Sequence, residues 1–460
     1  MVPDANVISM RRGPHIVRSG TGVDPAAALI RHVLFPAWVR KNRSTRLAYL
    51  EQFERSQFLS RWELQDLQWT QFKALLRHAF DHCAFYRRKL SAIGMTPDDV
   101  RTPDDIARVP TTSKEEIQEW MHDLIADNVS GALIKDMTGG STGSPMVFYY
   151  DEDRLDSRNA AAIRHNRWTG WDIGDKMAVL WGAPRDLASG SMKARVRDWI
   201  LDRRVMLDAS SLDDEKMREF HQRLVFHQPN FVLAYANTMA LFARFLRDTG
   251  LEPPRPRAII TSGEVLTTEN RTLIESTFGC LVYNRYGCRE FAVIASECGH
   301  HRGMHINAEN LLVDVVSGEI VITDLKNFAM PMIRYRTRDA GALIPGVCDC
   351  GRGLPLLDLT GGRVTDFLTA LAGQKVSGIV LATYAITSIP GVRQIQFVQD
   401  RTDRVRARVA RRPEWSDDSS ATLVAKVRSF LGAAMTVDIE FVDEIPLEAS
   451  GKYRFSISLL

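Results

Sequence analysis

Polar and apolar residues follow two different periods along this chain. Residues 1–135 show helical spacing, and no glycine or proline interrupts it through Leu47–Leu90. From about Asp136 short apolar runs, which predict strands, alternate with stretches of helical spacing. The predicted strands are Met177–Trp181, Phe231–Tyr235, Ala258–Thr261, Cys280–Tyr283 and Gly318–Thr323, and the predicted helices are Asp213–Phe226, Thr238–Asp248 and Thr267–Phe278. The alternation predicts an α/β architecture whose strands end in functional loops.

A second change of pattern follows the glycine break at Gly361-Gly362-Arg363. The remaining segment predicts a small α+β unit, for which a ferredoxin-like arrangement is one interpretation. Its predicted elements are the strands Val392–Asp400, Arg404–Ala410 and Val437–Phe441 and the helix Ser419–Met435. We therefore predict a mixed α+β multi-domain protein with a large domain over residues 1–362 and a small domain over residues 363–460.

Composition narrows the classes of protein that need consideration. A chain of 460 residues is too long for one hydrophobic core, and 45% apolar and 25% charged residues are ordinary for a globular protein. The formal net charge of +3 argues against a nucleic-acid binder. No stretch approaches the roughly 18 apolar residues of a membrane span, and the N-terminal region lacks the apolar core of a secretory signal. Six unevenly spaced cysteines favour a reducing cytoplasm over a disulfide scaffold.

The segment Asp136–Pro145 concentrates glycine and hydroxyl residues. Its sequence is Asp-Met-Thr-Gly-Gly-Ser-Thr-Gly-Ser-Pro. Three glycines allow close backbone approach to a ligand, and the hydroxyl and N–H groups can donate to phosphate oxygens. The segment lacks the Gly-Lys-Ser/Thr of a Walker A loop. An ordinary polar hairpin loop is the alternative interpretation.

This loop resembles the phosphate loop of the adenylate-forming (acyl-CoA synthetase) superfamily, and the chain from about residue 40 onward resembles its phenylacetate–CoA ligase branch. Five further motifs follow in the superfamily's order: Thr261-Ser262-Gly263-Glu264, Tyr286-Gly287-Cys288-Arg289-Glu290, Tyr335-Arg336-Thr337-Arg338-Asp339, Gly362-Arg363 and Pro446–Lys452. Each motif alone is a weak signal. Their joint order over most of the chain makes coincidence improbable.

The resemblance implies a set of roles for these residues. Thr138, Gly140, Ser141, Thr142 and Gly143 would hold the β- and γ-phosphates of ATP, and Gly263 and Glu264 would lie beside the adenine. Tyr286 and Gly287 would pack on the adenine, and Asp339 would bind the ribose hydroxyls. The catalytic residues would be Lys452, Glu290 and Arg363. Glu290 would hold Mg²⁺, Arg363 would lie near the ribose and phosphates, and Lys452 would bridge the acid and the α-phosphate.

Several positions depart from the superfamily's pattern. Met146 replaces the usual lysine of the phosphate loop, as is common in this branch, and Thr365 replaces the hinge Asp or Lys. Arg289 stands where a small hydroxyl residue is usual, so it would either favour a second anionic group on the substrate, brace the phosphate or face solvent. Arg338, in place of a glycine, is expected to be an exposed substitution.

Three cysteines and a histidine suggest a metal site. Cys298, His305, Cys348 and Cys350 would supply a closed tetrahedral shell for structural Zn²⁺, and His300 and His301 compete for the nitrogen position. Some members of the resembled branch have such a site. The alternative is four reduced side chains that hold no metal.

The resemblance implies ATP-dependent activation of a small carboxylic acid as its acyl-AMP, followed by transfer to a thiol such as coenzyme A. Trp181 and Tyr235, with Trp168, lie in segments that border the acyl pocket in this superfamily and favour an aryl or arylacetic acid, although core packing explains them equally well. The alternatives are transfer to a carrier protein, an amine or a hydroxyl, or a catalytically silent scaffold. The resemblance also allows a homodimer.

Overall fold

We analysed a computed structural model that describes residues 24–138, 146–181, 201, 203–208, 214–360, 367–446 and 454–460. Helices and several sheets are mixed along the chain, as predicted for the fold class. Within the described ranges, no helix is both long and apolar enough to cross a bilayer.

The N-terminal region is helical, as predicted. Its helices are α1 (Pro25–Leu29), a π-helical turn (Ile30–Leu34), α2 (Phe35–Lys41), α3 (Arg46–Ser56), α4 (Arg61–His82), α5 (Ala84–Ser91), 3₁₀ segments at Pro97–Asp99 and Pro103–Arg108, α6 (Lys114–Glu119) and α7 (Met121–Leu124). The uninterrupted pattern of Leu47–Leu90 is in fact broken twice. Ser60 starts α4 with a capping box in which Glu63 N–H donates to Ser60 Oγ at 3.3 Å and Ser60 N–H donates to Glu63 Oε2 at 2.8 Å.

A nine-stranded sheet forms the centre of the larger part of the molecule. Its strands are β3 (Met177–Trp181), β4 (Arg204–Asp208), β5 (Phe231–Tyr235), β6 (Ala258–Ser262), β7 (Leu281–Cys288), β8 (Ala292–Glu297), β9 (Met304–Ile306), β13 (Ala342–Ile344) and β14 (Leu356–Asp358). Their spatial order is β13-β14-β9-β8-β7-β6-β5-β3-β4. The strands from β4 to β7 are parallel, so the carboxyl ends of these strands share one edge of the sheet.

Helices pack against this sheet and bury its apolar strands. They are α8 (Glu152–Arg167), α9 (Asp214–His227), α10 (Ala236–Thr249) and α11 (Thr268–Phe278). The predicted strands at Met177–Trp181 and Phe231–Tyr235 have the bounds found in the structure. The run at Gly318–Thr323 also forms a strand, but it belongs to a separate three-stranded sheet of β10 (Leu311–Val316), β11 (Glu319–Asp324) and β12 (Tyr335–Ala340). A two-stranded hairpin, β1 (Ile134–Met137) and β2 (Val147–Tyr150), completes this part.

The C-terminal region has its own four-stranded sheet and its own apolar core. Its elements are β15 (Phe367–Thr369), β16 (Lys375–Ser377), α12 (Gly378–Ser388), β17 (Val392–Arg401), β18 (Arg404–Arg411), α13 (Asp417–Leu431), β19 (Thr436–Phe441) and β20 (Ser456–Ser458). The sheet order is β19-β18-β17-β20, with two parallel neighbouring pairs. The ferredoxin-like interpretation is therefore wrong, because that arrangement alternates strand directions throughout. The predicted boundary after Gly362 lies outside the described residues.

Candidate active site

The glycine- and hydroxyl-rich loop connects the two strands of the β1–β2 hairpin. At its base Thr138 N–H donates to the main-chain oxygen of Met146 at 2.9 Å, and Met146 N–H donates to Thr138 Oγ1 at 2.9 Å. Thr138 thus closes the loop on both its main chain and its side chain. The other predicted phosphate-binding residues lie outside the described part of the chain, as do Arg363, Thr365 and Lys452; they are Gly140, Ser141, Thr142 and Gly143.

Gly263 and Glu264 follow β6 at the carboxyl edge of the sheet. Gly263 has a φ of +77°, in the left-handed region that glycine adopts without strain. The turn directs Glu264 toward the start of α10, where Glu264 Oε2 accepts a hydrogen bond from Asn237 N–H at 2.8 Å. Asn237 in turn accepts from Asn270 Nδ2 at 3.1 Å. Glu264 is therefore held in one orientation by the first turn of a helix.

Tyr286 and Asp339 join two distant segments of the chain. The hydroxyl of Tyr286, near the end of β7, donates to Asp339 Oδ2 at 2.6 Å across 53 positions of sequence. Burial first, and then the charge of Asp339, raise the pKa of Tyr286 well above its ordinary value, so its hydroxyl remains a donor at neutral pH. Gly287 follows at a bulge of the strand, where a Cβ would lie 2.4 Å from the main-chain oxygen of Ala292. Only glycine fits there.

Glu290 lies in the turn between β7 and β8, within reach of a second buried tyrosine. Tyr335 OH lies 3.4 Å from Glu290 Oε1, a long hydrogen bond, and Tyr335 itself forms an isolated bridge with Thr112. Burial, together with the charge of Glu290, raises the pKa of the adjacent Cys288 thiol. Glu290 is thus a carboxylate beside two neutral donors, the Tyr335 hydroxyl and the Cys288 thiol. Its oxygens are suited to bind a hard cation.

The structure adds two residues that sequence reasoning missed, Arg158 and Tyr150. Arg158 on α8 donates from Nη2 to the main-chain oxygen of Arg289 at 2.6 Å, and its guanidinium carbon lies 4.5 Å from the centroid of the Tyr150 ring. The one available signal was a repeated arginine, Arg154 and Arg158, on the helix face that also carries buried Ala161. Arg289 is partly buried, and its charge opposes the rise that burial causes in the pKa of Tyr150. Its side chain is therefore not directed wholly into bulk solvent.

Arg338, which was expected to be an exposed substitution, is partly buried, and its side chain is 41% exposed. It adopts a φ of +65°, which explains why a glycine suits this position in other sequences. Its Nη2 donates to Glu115 Oε1 at 2.6 Å, and the Glu115 side chain of this ion pair is 59% exposed. The neighbouring Arg336 pairs with Glu319.

Trp181 and Tyr235 meet at the ends of the neighbouring strands β3 and β5. Their rings stack with centroids 4.1 Å apart and an interplanar angle of 30°. Trp168 lies elsewhere: it is buried, packs edge-on against His305 at 5.5 Å and donates from Nε1 to Gln57 Oε1 at 2.9 Å. Trp168 is therefore a core residue, as its alternative interpretation allowed.

Cys298, His305, Cys348 and Cys350 converge beyond the opposite end of β8. Their sulfur and nitrogen atoms all lie within 4.8 Å of one another. His305 is the histidine of this cluster, since His300 is exposed and His301 Nδ1 contacts a Glu297 carboxylate oxygen at 3.0 Å. Cys298 Sγ lies 3.7 Å from Cys348 Sγ, and Cys350 Sγ lies 3.3 Å from His305 Nε2. A tetrahedral zinc ion with bonds of about 2.0–2.3 Å requires edges of about 3.5–3.8 Å, so the donor set fits zinc.

Comparisons with known proteins find relatives of this chain in sequence and in fold. A family model described as the CapK C-terminal domain matches residues 368–458. The chain is 28% identical over 327 residues to phenylacetate-coenzyme A ligase of Escherichia coli (strain K12), covering 66% of this chain and 72% of that protein. It is 25% identical over 412 residues to Protein CapK of Staphylococcus aureus, covering 86% and 89%. The crystal structure of 2-hydroxyisobutyryl-CoA ligase in the postadenylation state with R3-HIB-AMP has a TM-score of 0.71 at 20% identity, covering 88% of this chain and 91% of that one, so the two share a fold.

Proposed function

We propose that the chain, which is similar in sequence to phenylacetate–CoA ligases and in fold to an acyl-CoA ligase, is an adenylate-forming enzyme that converts a small carboxylic acid to its acyl-AMP and then to a thioester. The observation that carries the proposal is the 2.6 Å hydrogen bond from Tyr286 to Asp339. It unites two motifs, 53 positions apart, at the carboxyl edge of the parallel strands. Ligands of α/β folds bind at that edge.

In this proposal each residue of the edge acts on one part of ATP. The ring of Tyr286 packs on the adenine, with Gly287 beside it, while Gly263 and Glu264 border the base. Asp339, oriented by the tyrosine hydroxyl, accepts hydrogen bonds from the ribose. The hairpin loop closed by Thr138, with Gly140, Ser141, Thr142 and Gly143, donates to the terminal phosphates.

The first chemical step joins two anions, because the carboxylate of the acid attacks the α-phosphorus and expels pyrophosphate. The site must therefore neutralise charge and hold the attack in line. Mg²⁺ bound by Glu290 would offset charge on the phosphates, and Arg363 and Lys452 would add two cations. The carboxylate oxygen of Glu290 is the hard donor that Mg²⁺ prefers.

We propose that the small domain begins at Arg363 and moves between the two half-reactions. Lys452 would then contact the α-phosphate and the acid during adenylation and withdraw before coenzyme A attacks the acyl-AMP. A compact ammonium suits a contact that forms and breaks. Thr365, at the hinge position, would absorb the change in backbone angles.

The acid is best proposed as an aryl or arylacetic acid. The stacked rings of Trp181 and Tyr235 end two adjacent strands at the ligand edge, and flat aromatic faces favour a flat apolar substrate. Trp181 remains partly exposed, whereas Tyr235 is buried, so Trp181 is the ring available to a ligand. Arg289 would tune the preference through any further polar group on the acid.

We further propose that the cluster of three cysteines and His305 holds one structural Zn²⁺. Four soft or borderline donors would fill a tetrahedral shell and leave no open coordination position, which suits a structural ion. The cysteines in the described part of the chain are free thiols. Reduced thiols together with a coenzyme A substrate favour a cytoplasmic enzyme.

A pyrophosphate-exchange assay with a panel of carboxylic acids tests this function. Acid-dependent exchange between ATP and labelled pyrophosphate is expected, with aryl and arylacetic acids preferred. Absence of exchange with every acid would favour the silent scaffold. Consumption of acyl-AMP only when coenzyme A is added supports the thioester step, while consumption with a carrier protein, an amine or a hydroxyl compound supports the alternative acceptors.

A further inference from the structure

The guanidinium of Arg158 is held in place by two different elements. Nη2 donates to the main-chain oxygen of Arg289 at 2.6 Å, in the turn between β7 and β8. The Tyr150 ring of β2 lies against the guanidinium face, 4.5 Å from its carbon. A planar cation fixed at its face and at one nitrogen presents its remaining donors in a defined direction.

One of those remaining donors is buried and unused. Nη1 of Arg158 is shielded from solvent and donates to no acceptor among the residues that the structure describes. Burial, followed by the charge of Arg154, lowers the pKa of Arg158 from its ordinary value, although an arginine stays protonated at neutral pH. The charges of Asp324 and Asp136 oppose this effect. A buried cationic donor without a partner is costly, and an anionic oxygen would remove that cost.

The point at which Arg158 contacts the β1–β2 hairpin distinguishes between two sources of such an oxygen, the phosphates of ATP and the acid. Met146 closes the phosphate loop at one end of β2, whereas Tyr150 pairs with Ile134 at the other end. Four residues of strand separate Met146 from Tyr150 by roughly 14 Å. Arg158 therefore contacts the hairpin at the end remote from the loop that would hold the terminal phosphates, and this position favours the acid over those phosphates as the source of its anion.

We propose that Arg158 is a specificity-determining residue whose Nη1 binds a second anionic group on the acid that the enzyme activates. The chemical class is a dicarboxylic acid, or a carboxylic acid with a comparable anionic group away from the reacting carboxylate. The proposal deepens the proposed function and rests on it. It also gives Arg289 a defined part, because the main-chain oxygen of Arg289 positions the guanidinium and the side-chain charge of Arg289 acts on the same Tyr150.

The test compares matched acids in the exchange assay: phenylacetate against 4-carboxyphenylacetate, and butyrate against glutarate. The wild-type enzyme should favour the diacid of each pair by kcat/KM. Arg158→Gln should lower that ratio by about tenfold or more, as expected when a site loses a charged partner for a substrate group, and should leave the KM for ATP unchanged. Arg158→Lys keeps the charge without the planar fork and should lose part of the preference.

Arg167→Gln is the matched control, because Arg167 lies on the same helix but pairs with Glu54 and Asp172. It should leave the ratio unchanged. Three results would overturn the proposal. They are a ratio that is equal in wild type and Arg158→Gln, a ratio that changes only in Arg289→Thr, and an unchanged ratio together with a rise in the KM for ATP. Melting temperatures of all variants identify any that do not fold.

Binding separates failure of this inference from failure of the proposed function. In a thermal-shift titration the diacids should raise the melting temperature of the wild-type protein more than the monoacids do, and Arg158→Gln should abolish the difference. Acid binding with this pattern but without exchange would refute the ligase function and retain the anion site. Exchange with monoacids and no diacid preference in either assay would retain the ligase and refute the anion site.

Discussion

The two ends of strand β8 carry side chains of different kinds. At the turn from β7, Glu290 lies beside Tyr335 and near the Tyr286–Asp339 pair, where hydrogen bonds from tyrosine hydroxyls orient the two carboxylates. At the other end, about 20 Å along the six-residue strand, three thiols and an imidazole face one another. The first end is built from oxygen donors and acceptors, and the second from sulfur and nitrogen.

The difference teaches how one strand can serve two purposes. Under the proposed function, carboxylates and tyrosines at the open edge would bind and release a nucleotide, so their interactions would have to be reversible. Cys298 and His305, which are 2% and 0% exposed, lie where water does not compete, so a metal held there would tie the strand to the Cys348–Cys350 loop. Changes at the first end should therefore alter rates, and changes at the second should alter stability and metal content.

The largest expected effect on rate belongs to Lys452. Lys452→Ala should lower the rate of adenylation by about 10²-fold or more, the scale expected for loss of one charge contact in the transition state. Thiolysis of preformed acyl-AMP should be affected far less, because under the proposed function the lysine would have withdrawn by then. Single-turnover assays of the two half-reactions measure both effects, with Lys426→Ala on α13 as the control. Equal losses in both half-reactions would refute the role assigned to Lys452.

The largest expected effect on stability belongs to the metal cluster. Protein purified without chelator should carry about one zinc ion per chain, and Cys348→Ser should lower both the metal content and the melting temperature, by roughly 5 °C or more. Zinc stabilises only the folded state, by up to roughly 10 kcal/mol in small domains and less in a chain of this size. Cys280→Ser, a thiol outside the cluster, should retain the metal. Metal analysis that finds no zinc in the wild-type protein would refute the proposed zinc site.

A moderate effect on rate is expected from Tyr286→Phe, which keeps the ring and removes the donor to Asp339. A hydrogen bond to a charged group contributes about 1.5–3 kcal/mol, so kcat/KM for ATP should fall by about tenfold or more while zinc content stays unchanged. Tyr283→Phe is the control, because Tyr283 lies on the same strand and its ring packs against His301. Equal effects of the two substitutions would show that the hydrogen bond does not matter for ATP.

The smallest effect is expected from Arg338→Gly. The substitution relieves a left-handed backbone that costs about 1–3 kcal/mol for a side chain other than glycine, and it loses a surface ion pair with Glu115 that contributes at most about 1 kcal/mol. The free energy of unfolding should therefore rise slightly, with the KM for ATP unchanged. Glu115→Gln measures the ion pair alone. A marked rise in the KM for ATP in Arg338→Gly would place this arginine in the nucleotide site.

Local pattern predicted the elements better than their assembly. Apolar runs located β3 and β5 to the residue, because a strand buried on both faces has few polar positions. The break before α4 was missed, since it depends on the side chains of Ser60 and Glu63 and not on glycine or proline. Local pattern also could not predict that β11 belongs to a separate sheet, because the pattern within a strand does not specify its pairing partners.

For the candidate site, the sequence by itself determined which residue types are available and in what order: the loop glycines, the Tyr-Gly and Asp motifs and the Cys-x-Cys pair. Only the tertiary structure decided which of them meet. It selected His305 over two neighbouring histidines, assigned Trp168 to the core and brought Arg158 against the main chain of Arg289. The physical reason is that hydrogen bonds and metal coordination act over about 2–4 Å, and separation along the chain carries no information at that scale.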